Sequence, residues 1–215
     1  MKFKVMLADD HAIIRDGLRK ILADTDDFDV VAQASNGNAV LEEVRQQAFD
    51  LLVLDLSMPG RHGLELIKLV RDARPKLPIL IFSMHPEEQF AVRALRVGAN
   101  GYLSKEGDSD LILPAMRKVA AGGMFISNKV AELLAMDASP SSQALPHTLL
   151  SDREFEVLTH ILRGSSLTDI ANELSLSIKT VSTHKSHIFT KLGISSQVDL
   201  IRYAMEHRLT DGLPQ

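Results

Sequence analysis

Residues 3–10 read FKVMLADD, a short apolar run closed by two aspartates, and this stretch decides the class of fold. A second run of the same kind, LLVLD at residues 51–55, also ends in an aspartate. Apolar runs with little alternation are typical of parallel strands that helices cover on both faces. Because amphipathic stretches separate these runs, the pattern indicates repeated βαβ units.

Five such runs are the expected strands: Phe3–Ala8, Asp29–Ala34, Leu51–Leu54, Ile79–Phe82 and Gly101–Leu103. The first helix between them is expected to pack through Ile13, Ile14, Gly17, Leu18, Ile21 and Leu22. Gly122 and Gly123 end the last helical pattern of this region. We therefore expect an α/β doubly wound domain, with a parallel five-stranded sheet, over residues 1–122.

The composition excludes several functional classes. The chain has 215 residues, 45% apolar and 24% charged, which is typical of a globular protein. It has no cysteine, which excludes disulfides, thiol catalysis and cysteine-based zinc sites. It lacks a run of about 20 apolar residues and the apolar core of a signal peptide, so we expect a cytoplasmic protein with no membrane contact. Its net charge of −4 means that DNA binding needs locally concentrated cations.

Three carboxylates follow the expected strands: Asp9 and Asp10 after the first, and Asp55 after the third. Neighbouring parallel strands end at the same edge of a sheet, so these side chains are expected to converge there. Converging carboxylates repel one another unless a hard cation lies among them, and Mg²⁺ suits an all-oxygen set. His11 is expected to begin a helix and not to bind the metal.

Two further polar residues follow strands, Ser83 after the fourth and Lys105 after the fifth. A hydroxyl and an ammonium that face a metal-bound carboxylate form a site for phosphoryl transfer. In this interpretation a carboxylate of the cluster is the nucleophile. Taken singly, each residue has a plainer alternative: an aspartate that caps a helix, a turn serine or a solvated lysine.

The second half of the chain has a different pattern. Residues 123–147 are expected to form a linker, because DASPSSQALPHT at 137–148 is rich in Ser, Pro and Ala. From residue 148 to 215 the patterns are helical only. The expected helices are Asp152–Arg163, Leu167–Leu174, Ile178–Leu192 and Ser196–Glu206, and Ser151 with Glu154 forms a capping box before the first of them.

The stretch Ile178–Leu192 concentrates positive charge, because it has three lysines and no acidic residue. With the preceding short helix and the turn Ser175–Ser177 it fits a helix-turn-helix, in which the second helix enters the major groove. The expected small core consists of Ile170, Ala171, Leu174, Leu176, Ile178, Val181, Ile188 and Leu192. From the pattern alone, a helix pair without DNA binding remains an alternative.

The residues of the first half closely resemble the receiver domain of two-component response regulators. The resemblance rests on Asp9-Asp10, on DLSMPGRHG at 55–63, on Ser83 and on Lys105, and it covers about residues 1–122. It implies that Asp55 accepts a phosphoryl group from a sensor histidine kinase. It also implies that Asp10, Asp55 and the Ser57 carbonyl hold Mg²⁺, with Asp9 acting through water.

Further roles are implied by the same resemblance. Ser83 and Tyr102 match the family's switch pair, in which the hydroxyl moves toward the phosphoryl group and the ring turns inward behind it. Ser57 and His85 match positions that flank the path of the attacking water.

The second half resembles the LuxR-type helix-turn-helix over about residues 148–208, through LSDREFEVL at 150–158, SIKTVSTH at 177–184 and KLGI at 191–194. The whole chain thus resembles the NarL/FixJ response regulators. The resemblance implies groove contacts by Ser182, Thr183, Lys185 and Ser186, and phosphate-backbone contacts by Lys179, Thr180 and Lys191.

The function expected from the sequence is that of a regulator rather than an enzyme. Phosphorylated on Asp55 by a sensor histidine kinase, it would bind double-stranded promoter DNA, as a homodimer when phosphorylated. One alternative is a DNA-binding regulator that does not use phosphorylation. Another is an aspartyl-phosphate phosphatase, although those enzymes usually have a second Asp two residues after the nucleophile, where this chain has Ser57.

Overall fold

Five parallel strands form one sheet in the computed structural model, which describes residues 2–59, 63–137, 145–174, 176–207 and 209–210. The strands are β1 Phe3–Ala8, β2 Phe28–Ala34, β3 Leu51–Leu54, β4 Ile79–Ser83 and β5 Gly101–Ser104. Their order in the sheet is β2-β1-β3-β4-β5, which makes β1 and β3 neighbours. The predicted doubly wound sheet is confirmed, with β2, β4 and β5 each one residue longer than expected.

Helices cover the strands, and this explains their continuous apolar character. The helices of this part are α1 Ala12–Ala23, α2 Gly37–Gln46, α3 Gly63–Ala73, α4 Glu87–Arg96 and α5 Ile112–Ala120. Every residue of β3 is buried. One apolar cluster joins Leu18 and Leu22 of α1 and Met116 and Val119 of α5 to alternate strand residues such as Val53. Alternate residues face opposite sides of a sheet, so β3 needs apolar side chains throughout.

The expected face of α1 is only partly correct. Leu18 and Leu22 are buried, but Ile13 is 85% exposed and Ile21 is 41% exposed. Residues four apart lie on the same face of a helix. Ile13 and Ile21 are two such steps apart, on a face of α1 that the sheet does not reach. The apolar stripe of α1 is therefore narrower than its composition suggests.

The first part of the expected linker packs against the sheet domain. Phe125 forms a parallel bridge with Gly101, donates its N–H to the Asn100 carbonyl at 3.0 Å and accepts the Tyr102 N–H at 3.1 Å. A helix follows, α6 Asn128–Asp137, and its Val130 is fully buried. Residues 123–137 thus extend the sheet edge and then form a helix. Of the remaining expected linker, residues 138–144 lie outside the described residues, and Pro146 and His147 begin a short 3₁₀ helix, Pro146–Leu149.

The chain divides into two compact units, Met1–Leu133 and Leu134–Gln215. The second unit contains α7 Asp152–Leu162, α8 Leu167–Glu173, α9 Ile178–Leu192 and α10 Gln197–Glu206. The four predicted helices are confirmed to within one residue at each end. The predicted capping box of Ser151 and Glu154 is present, and Ser177 caps α9 by accepting the Thr180 N–H.

The predicted core of this unit needs one correction. Ile170, Val181, Ile188 and Leu192 are buried, but Ile178 is 51% exposed. Ile178 is the first residue of α9, directly after the cap, where the chain has not yet reached the core-facing side of the helix. Ser175, expected in the turn before α9, lies outside the described residues. Among the helices described, none is long and apolar enough to span a bilayer.

Candidate functional site

The three carboxylates predicted to converge do meet at the carboxyl edge of the sheet. Asp9 and Asp55 are 3% and 2% exposed, and they follow the neighbouring strands β1 and β3. The Asp55 N–H donates to the Ala8 carbonyl at 2.8 Å, which fixes the end of β3 beside the end of β1. Ligand atoms of Asp9, Asp10, His11 and Asp55 all lie within 4.8 Å of one another.

Lys105 provides positive charge in this cluster. Its ammonium lies 2.6 Å from Asp9 Oδ2 and 2.7 Å from Asp55 Oδ2, and its side chain is 3% exposed. A buried ammonium requires close anionic partners, because water no longer solvates it. The position after β5, predicted from the sequence for a phosphoryl-binding cation, therefore brings Lys105 into direct contact with two of the three carboxylates.

The donor set fits a hard divalent cation. Asp55 Oδ1 accepts the Ser57 N–H at 3.2 Å, which holds the start of the following loop close to the carboxylates. The cluster offers several carboxylate oxygens in a small volume, and Mg²⁺ binds through such oxygens while keeping waters for a phosphate. The residues present thus suit Mg²⁺.

His11 directly precedes α1, at the helix start where it was expected. It is the residue before the first helical residue, and its N–H donates to Asp9 Oδ1 at 2.9 Å. Its ring Nδ1 lies 3.0 Å from Asp10 Oδ1 and 3.2 Å from Asp9 Oδ1. The ring can therefore hydrogen-bond to these carboxylates, although its side chain is 60% exposed. The plainer alternative for Asp10, that its side chain caps α1, does not hold, because α1 has no side-chain cap.

The two residues of the predicted switch pair are both fully buried. Ser83 is the last residue of β4, and the Tyr102 ring lies inside the unit at 1% exposure. The Tyr102 hydroxyl donates to the His85 carbonyl at 2.8 Å, which links β5 to the loop after β4. Burial raises the pKa of Tyr102 well above its ordinary value, and the carboxylates of Asp55, Glu87 and Glu88 raise it further. The phenol is therefore a neutral hydrogen-bond donor.

The loop after β4 also approaches the loop after β3. The Ser57 hydroxyl lies 3.3 Å from His85 Nε2, and the His85 ring stacks on Phe90 with centroids 4.3 Å apart. The two residues expected to flank the path of attacking water are thus in contact with each other. Residues 60–62, which complete the motif after Asp55, lie outside the described residues.

In the second unit, α8 and α9 pack together as a helix-turn-helix requires, and α9 presents a polar face. Lys179, Ser182, Thr183 and Ser186 are exposed, and Thr180 and Lys185 are half-buried. The hydroxyls of Thr183 and Ser186 donate to carbonyls one turn earlier, at 3.0 and 3.1 Å. Their oxygens can still accept from a base edge. The Lys185 ammonium lies 5.5 Å from the centroid of the Phe189 ring.

Lys191 differs from the other predicted DNA contacts. Its ammonium lies 2.7 Å from Glu154 Oε2, and Glu154 is 4% exposed. The sequence indicated Glu154 as a capping residue, but not as the partner of Lys191, because nothing in the local pattern relates positions 37 residues apart. The sequence also did not indicate that Phe125 pairs with the sheet edge, because a single bridging residue produces no periodic pattern.

Comparison with known protein families matches both halves. The response regulator receiver domain family matches residues 5–117. The luxR family of bacterial regulatory proteins matches residues 148–204. Both ranges lie within the units expected from the residues.

Curated relatives match over nearly the whole length of the chain. The oxygen regulatory protein NreC of Staphylococcus haemolyticus is 36% identical, over 97% of this chain and 99% of that protein. NreC of Staphylococcus aureus is 37% identical over the same shares.

Solved structures agree. RcsB of Salmonella typhimurium matches with a TM-score of 0.73 and 29% identity, over 95% of this chain and 98% of that one. RcsB bound to the P1flhDC promoter with the phosphomimetic BeF₃⁻ matches with a TM-score of 0.70 and 29% identity, over 96% of this chain and 100% of that one. The chain belongs to the NarL/FixJ family of two-component response regulators, which join a receiver domain to a LuxR-type DNA-binding domain.

Proposed function

We propose that this response regulator is phosphorylated on Asp55 by a sensor histidine kinase and then binds promoter DNA through α9. The observation that carries the proposal is the meeting of Asp9, Asp10, Asp55 and Lys105 at one edge of the sheet. A carboxylate nucleophile, a cation and further carboxylates at this spacing are the parts that phosphoryl transfer needs. The division that we propose is residues 1–122 for the receiver, 123–147 for the connection and 148–215 for DNA binding.

In the proposed reaction, the Asp55 carboxylate attacks the phosphorus of a phosphohistidine. An O–P bond forms, the P–N bond breaks and the imidazole of the kinase leaves. Lys105 neutralises charge on the phosphoryl oxygens, and the Ser83 hydroxyl donates a hydrogen bond to one of them. Asp10, Asp55 and the Ser57 carbonyl would hold Mg²⁺, with Asp9 bound through water. When bound, this ion offsets the charge of the carboxylates and of the incoming phosphate.

The proposed readout is a change at Ser83 and Tyr102. The Tyr102 ring already lies inward and bonds to the His85 carbonyl, so the loop after β4 and the strand β5 are tied together. Movement of Ser83 toward a phosphoryl group would act on the same loop, because the His85 N–H lies 3.4 Å from Ser83 Oγ. Phosphorylation would thus shift the population between two states of this region.

For DNA, the proposal assigns the groove face of α9 to Ser182, Thr183, Lys185 and Ser186, and backbone contacts to Lys179 and Thr180. Burial lowers the pKa of His184, so the positive charge of α9 near neutral pH comes mainly from its lysines. The role of Lys191 is treated below. The bound state that we propose is a homodimer formed on phosphorylation, in the cytoplasm, where kinase domain and promoter DNA are both accessible.

For the surface that meets the second copy we propose α10, with the outer faces of the receiver as the alternative. Val198, Ile201 and Met205 are 73%, 41% and 64% exposed, and they lie on one side of this helix. An apolar stripe on an otherwise polar helix is a common protein–protein contact. The RcsB relative has been solved as two dimers bound to two parallel DNAs, which supports a dimer as the DNA-bound form.

The experiment that tests the proposal combines labelling with DNA mapping. Asp55→Asn removes the nucleophile while keeping its shape, so it should abolish labelling by acetyl phosphate and by a phosphorylated kinase. The wild-type label should be sensitive to hydroxylamine, as an acyl phosphate is. Genome-wide mapping of bound DNA should lose most sites in this variant. Unchanged maps would favour a regulator that does not use phosphorylation, and label retained on the variant would refute Asp55 as the acceptor.

A further inference from the structure

The Glu154 carboxylate makes contacts at the start of α7 and near the end of α9. Glu154 is the third residue of α7, and its Oε2 accepts the Ser151 N–H at 2.7 Å, which completes the cap of that helix. The same oxygen lies 2.7 Å from the ammonium of Lys191, near the end of α9. The Glu154 side chain is 5% exposed and the Lys191 side chain is 39% exposed, so the carboxylate is the buried member of the pair.

Two further contacts bring α9 to the same place. The Lys191 ammonium lies 3.4 Å from the Leu149 carbonyl, just before α7. His187, one turn before Lys191 on α9, has its Nδ1 3.6 Å from Glu154 Oε1. Burial alone would raise the pKa of Glu154, but hydrogen bonds from Lys191 and Ser151 lower it below its ordinary value. The carboxylate therefore remains charged near neutral pH and needs its partner.

The three lysines of α9 are thus not equivalent. Within the described part of the chain, neither Lys179 nor Lys185 pairs with a carboxylate; Lys179 is exposed, and the Lys185 ammonium lies 5.5 Å from the centroid of the Phe189 ring. For Lys191 to reach a phosphate, its ammonium would have to leave Glu154. The buried Glu154 carboxylate would then lose its partner. This is unfavourable because neither water nor another cation would fully compensate its negative charge.

We propose that Glu154 is a positioning residue for DNA recognition: it holds α9 against α7 through Lys191, and Lys191 serves DNA binding through this ion pair and not by touching a phosphate. This inference rests on the proposed function, since it assumes that α9 reads DNA. It assigns to Glu154, which lies outside the recognition helix, a part in setting how that helix meets the groove.

The test uses the full-length protein and a labelled duplex that the same protein selects from random-sequence DNA. The variants are Glu154→Gln, Lys191→Met and the double variant. Glutamine keeps the oxygen that caps α7, and methionine keeps the apolar stem of the lysine, so each removes little besides charge. Lys191→Arg keeps the ion pair. Lys179→Met is the matched control, because Lys179 is the lysine of α9 assigned to the phosphate backbone, and its side chain is exposed. Affinity is measured between about 50 and 200 mM salt, a range over which lost phosphate contacts are evident.

We expect Glu154→Gln and Lys191→Met each to weaken binding about tenfold, a typical size for coupled neighbours. The slope of log affinity against log salt should match that of the wild type. The double variant, which strands no buried charge, should bind no worse than the weaker single variant, and Lys191→Arg should bind normally. Lys179→Met should have a slope shallower by about 0.9, because each phosphate contact contributes about that much.

The opposite pattern would overturn the inference. If Lys191 contacts a phosphate, Lys191→Met has the shallow slope of Lys179→Met, and Glu154→Gln binds DNA more tightly because it frees the lysine. If the pair is only structural, both single variants lower the thermal midpoint but bind normally at temperatures where they are folded. If the wild type binds no DNA at any salt, the proposed function itself fails and takes this inference with it.

Discussion

At the scale of single residues, Tyr102 shows how a polar group is accommodated inside a small domain. Its ring is 1% exposed, yet its hydroxyl has an acceptor in the His85 carbonyl at 2.8 Å. A buried hydroxyl without a partner would destabilise the fold, so this bond and a hydrogen bond with the Ser83 side chain help to determine where the ring can lie. It places the ring directly beside the loop that follows Ser83.

Because the Tyr102 phenol is buried, we expect the folded protein to lose stability at alkaline pH. Burial is the largest cause that raises the pKa of Tyr102, and nearby carboxylates raise it further. An acid whose pKa is higher in the folded state stabilises that state below its unfolded pKa, about 10, and this contribution is lost as the pH rises past that value. Tyr102→Phe should therefore lose less stability than the wild type between about pH 8 and pH 11, as measured by urea unfolding.

At neutral pH the same substitution should cost about 1 kcal/mol, because the His85 carbonyl loses its donor. Tyr203→Phe is the natural control. Tyr203 is the other tyrosine of the chain, its pKa is also raised by burial, and it is only half-buried. Its removal should change the alkaline limb less. An identical alkaline limb in Tyr102→Phe and the wild type would mean that the Tyr102 phenol ionises as freely in the folded protein as in the unfolded one.

At the scale of elements, residues 123–133 pack with the sheet and belong to the same compact unit. Phe125 adds a bridge beside β5, the strand that contains Tyr102. At the start of α6, Ser127 donates to Glu87 Oε1 at 2.9 Å, and Lys129 pairs with Glu88. Both glutamates lie in the first turn of α4, just after His85. The segment is therefore attached to the two elements that contact the switch residues.

Packing of α6 should be measurable through Val130, which is fully buried. Val130→Ala removes two methyl groups from a site with 0% exposure, and it should lower the free energy of unfolding of the first unit by about 1–2 kcal/mol. Ala135→Ser, at an exposed position of the same helix, should cost less than about 0.5 kcal/mol. Equal stability of the two variants in chemical denaturation would show that α6 is not held to the sheet.

The sequence predicted elements well wherever one short stretch contains the reason for its structure. LLVL at residues 51–54 is buried on both faces, so its strand is evident, and Ser151, Ser177 and Glu154 mark helix starts by local hydrogen bonds. The convergence of Asp9, Asp10 and Asp55 followed from strand order alone. By contrast, α6 buries little more than Val130, and Gly122 and Gly123 suggested that regular structure ended there.

Long-range pairing was the part that the sequence did not reveal. The ion pair of Lys191 with Glu154 depends on how α7 and α9 pack, and the bridge of Phe125 depends on which strand lies at the sheet edge. Exposed apolar residues were the other source of error. Ile13 and Ile178 have the periodicity of core residues, but at these positions the helix surface does not meet a neighbour.

At the scale of the whole molecule, charge is distributed unevenly beneath a net value of −4. The buried Asp9 and Asp55 pair with Lys105 at the sheet edge, whereas α9 has three lysines and no acidic residue. Such a protein has no general attraction to DNA, because most of its surface is not basic. Firm binding should therefore depend on two recognition helices that act together.

This dependence makes α10 a decisive surface. Val198→Glu with Met205→Glu places two charges in the exposed apolar stripe, and burying them in a dimer would be unfavourable. We expect the dimer of the phosphorylated protein to weaken by about a hundredfold in sedimentation analysis. Promoter affinity should fall in parallel, while phosphorylation of Asp55 is unchanged.

Asn172→Glu serves as the control, because it adds a charge at an exposed position of α8 in the same unit. That variant should dimerise normally on phosphorylation. A double variant on α10 that still dimerises like the wild type would place the interface elsewhere, and the outer faces of the receiver would then be the next surface to test.

The bridge at Phe125 also decides where this protein can be divided and recombined. A hybrid regulator that is cut after Gly122 would leave the Asn100 carbonyl and the Tyr102 N–H without their backbone partners, on an open sheet edge. Open edges invite other strands to add, and aggregation follows. A junction beyond Asp137 retains the bridge and all of α6. Exchange of output domains between such regulators should therefore succeed only when the hybrid retains the receiver's sheet-edge segment, including Phe125.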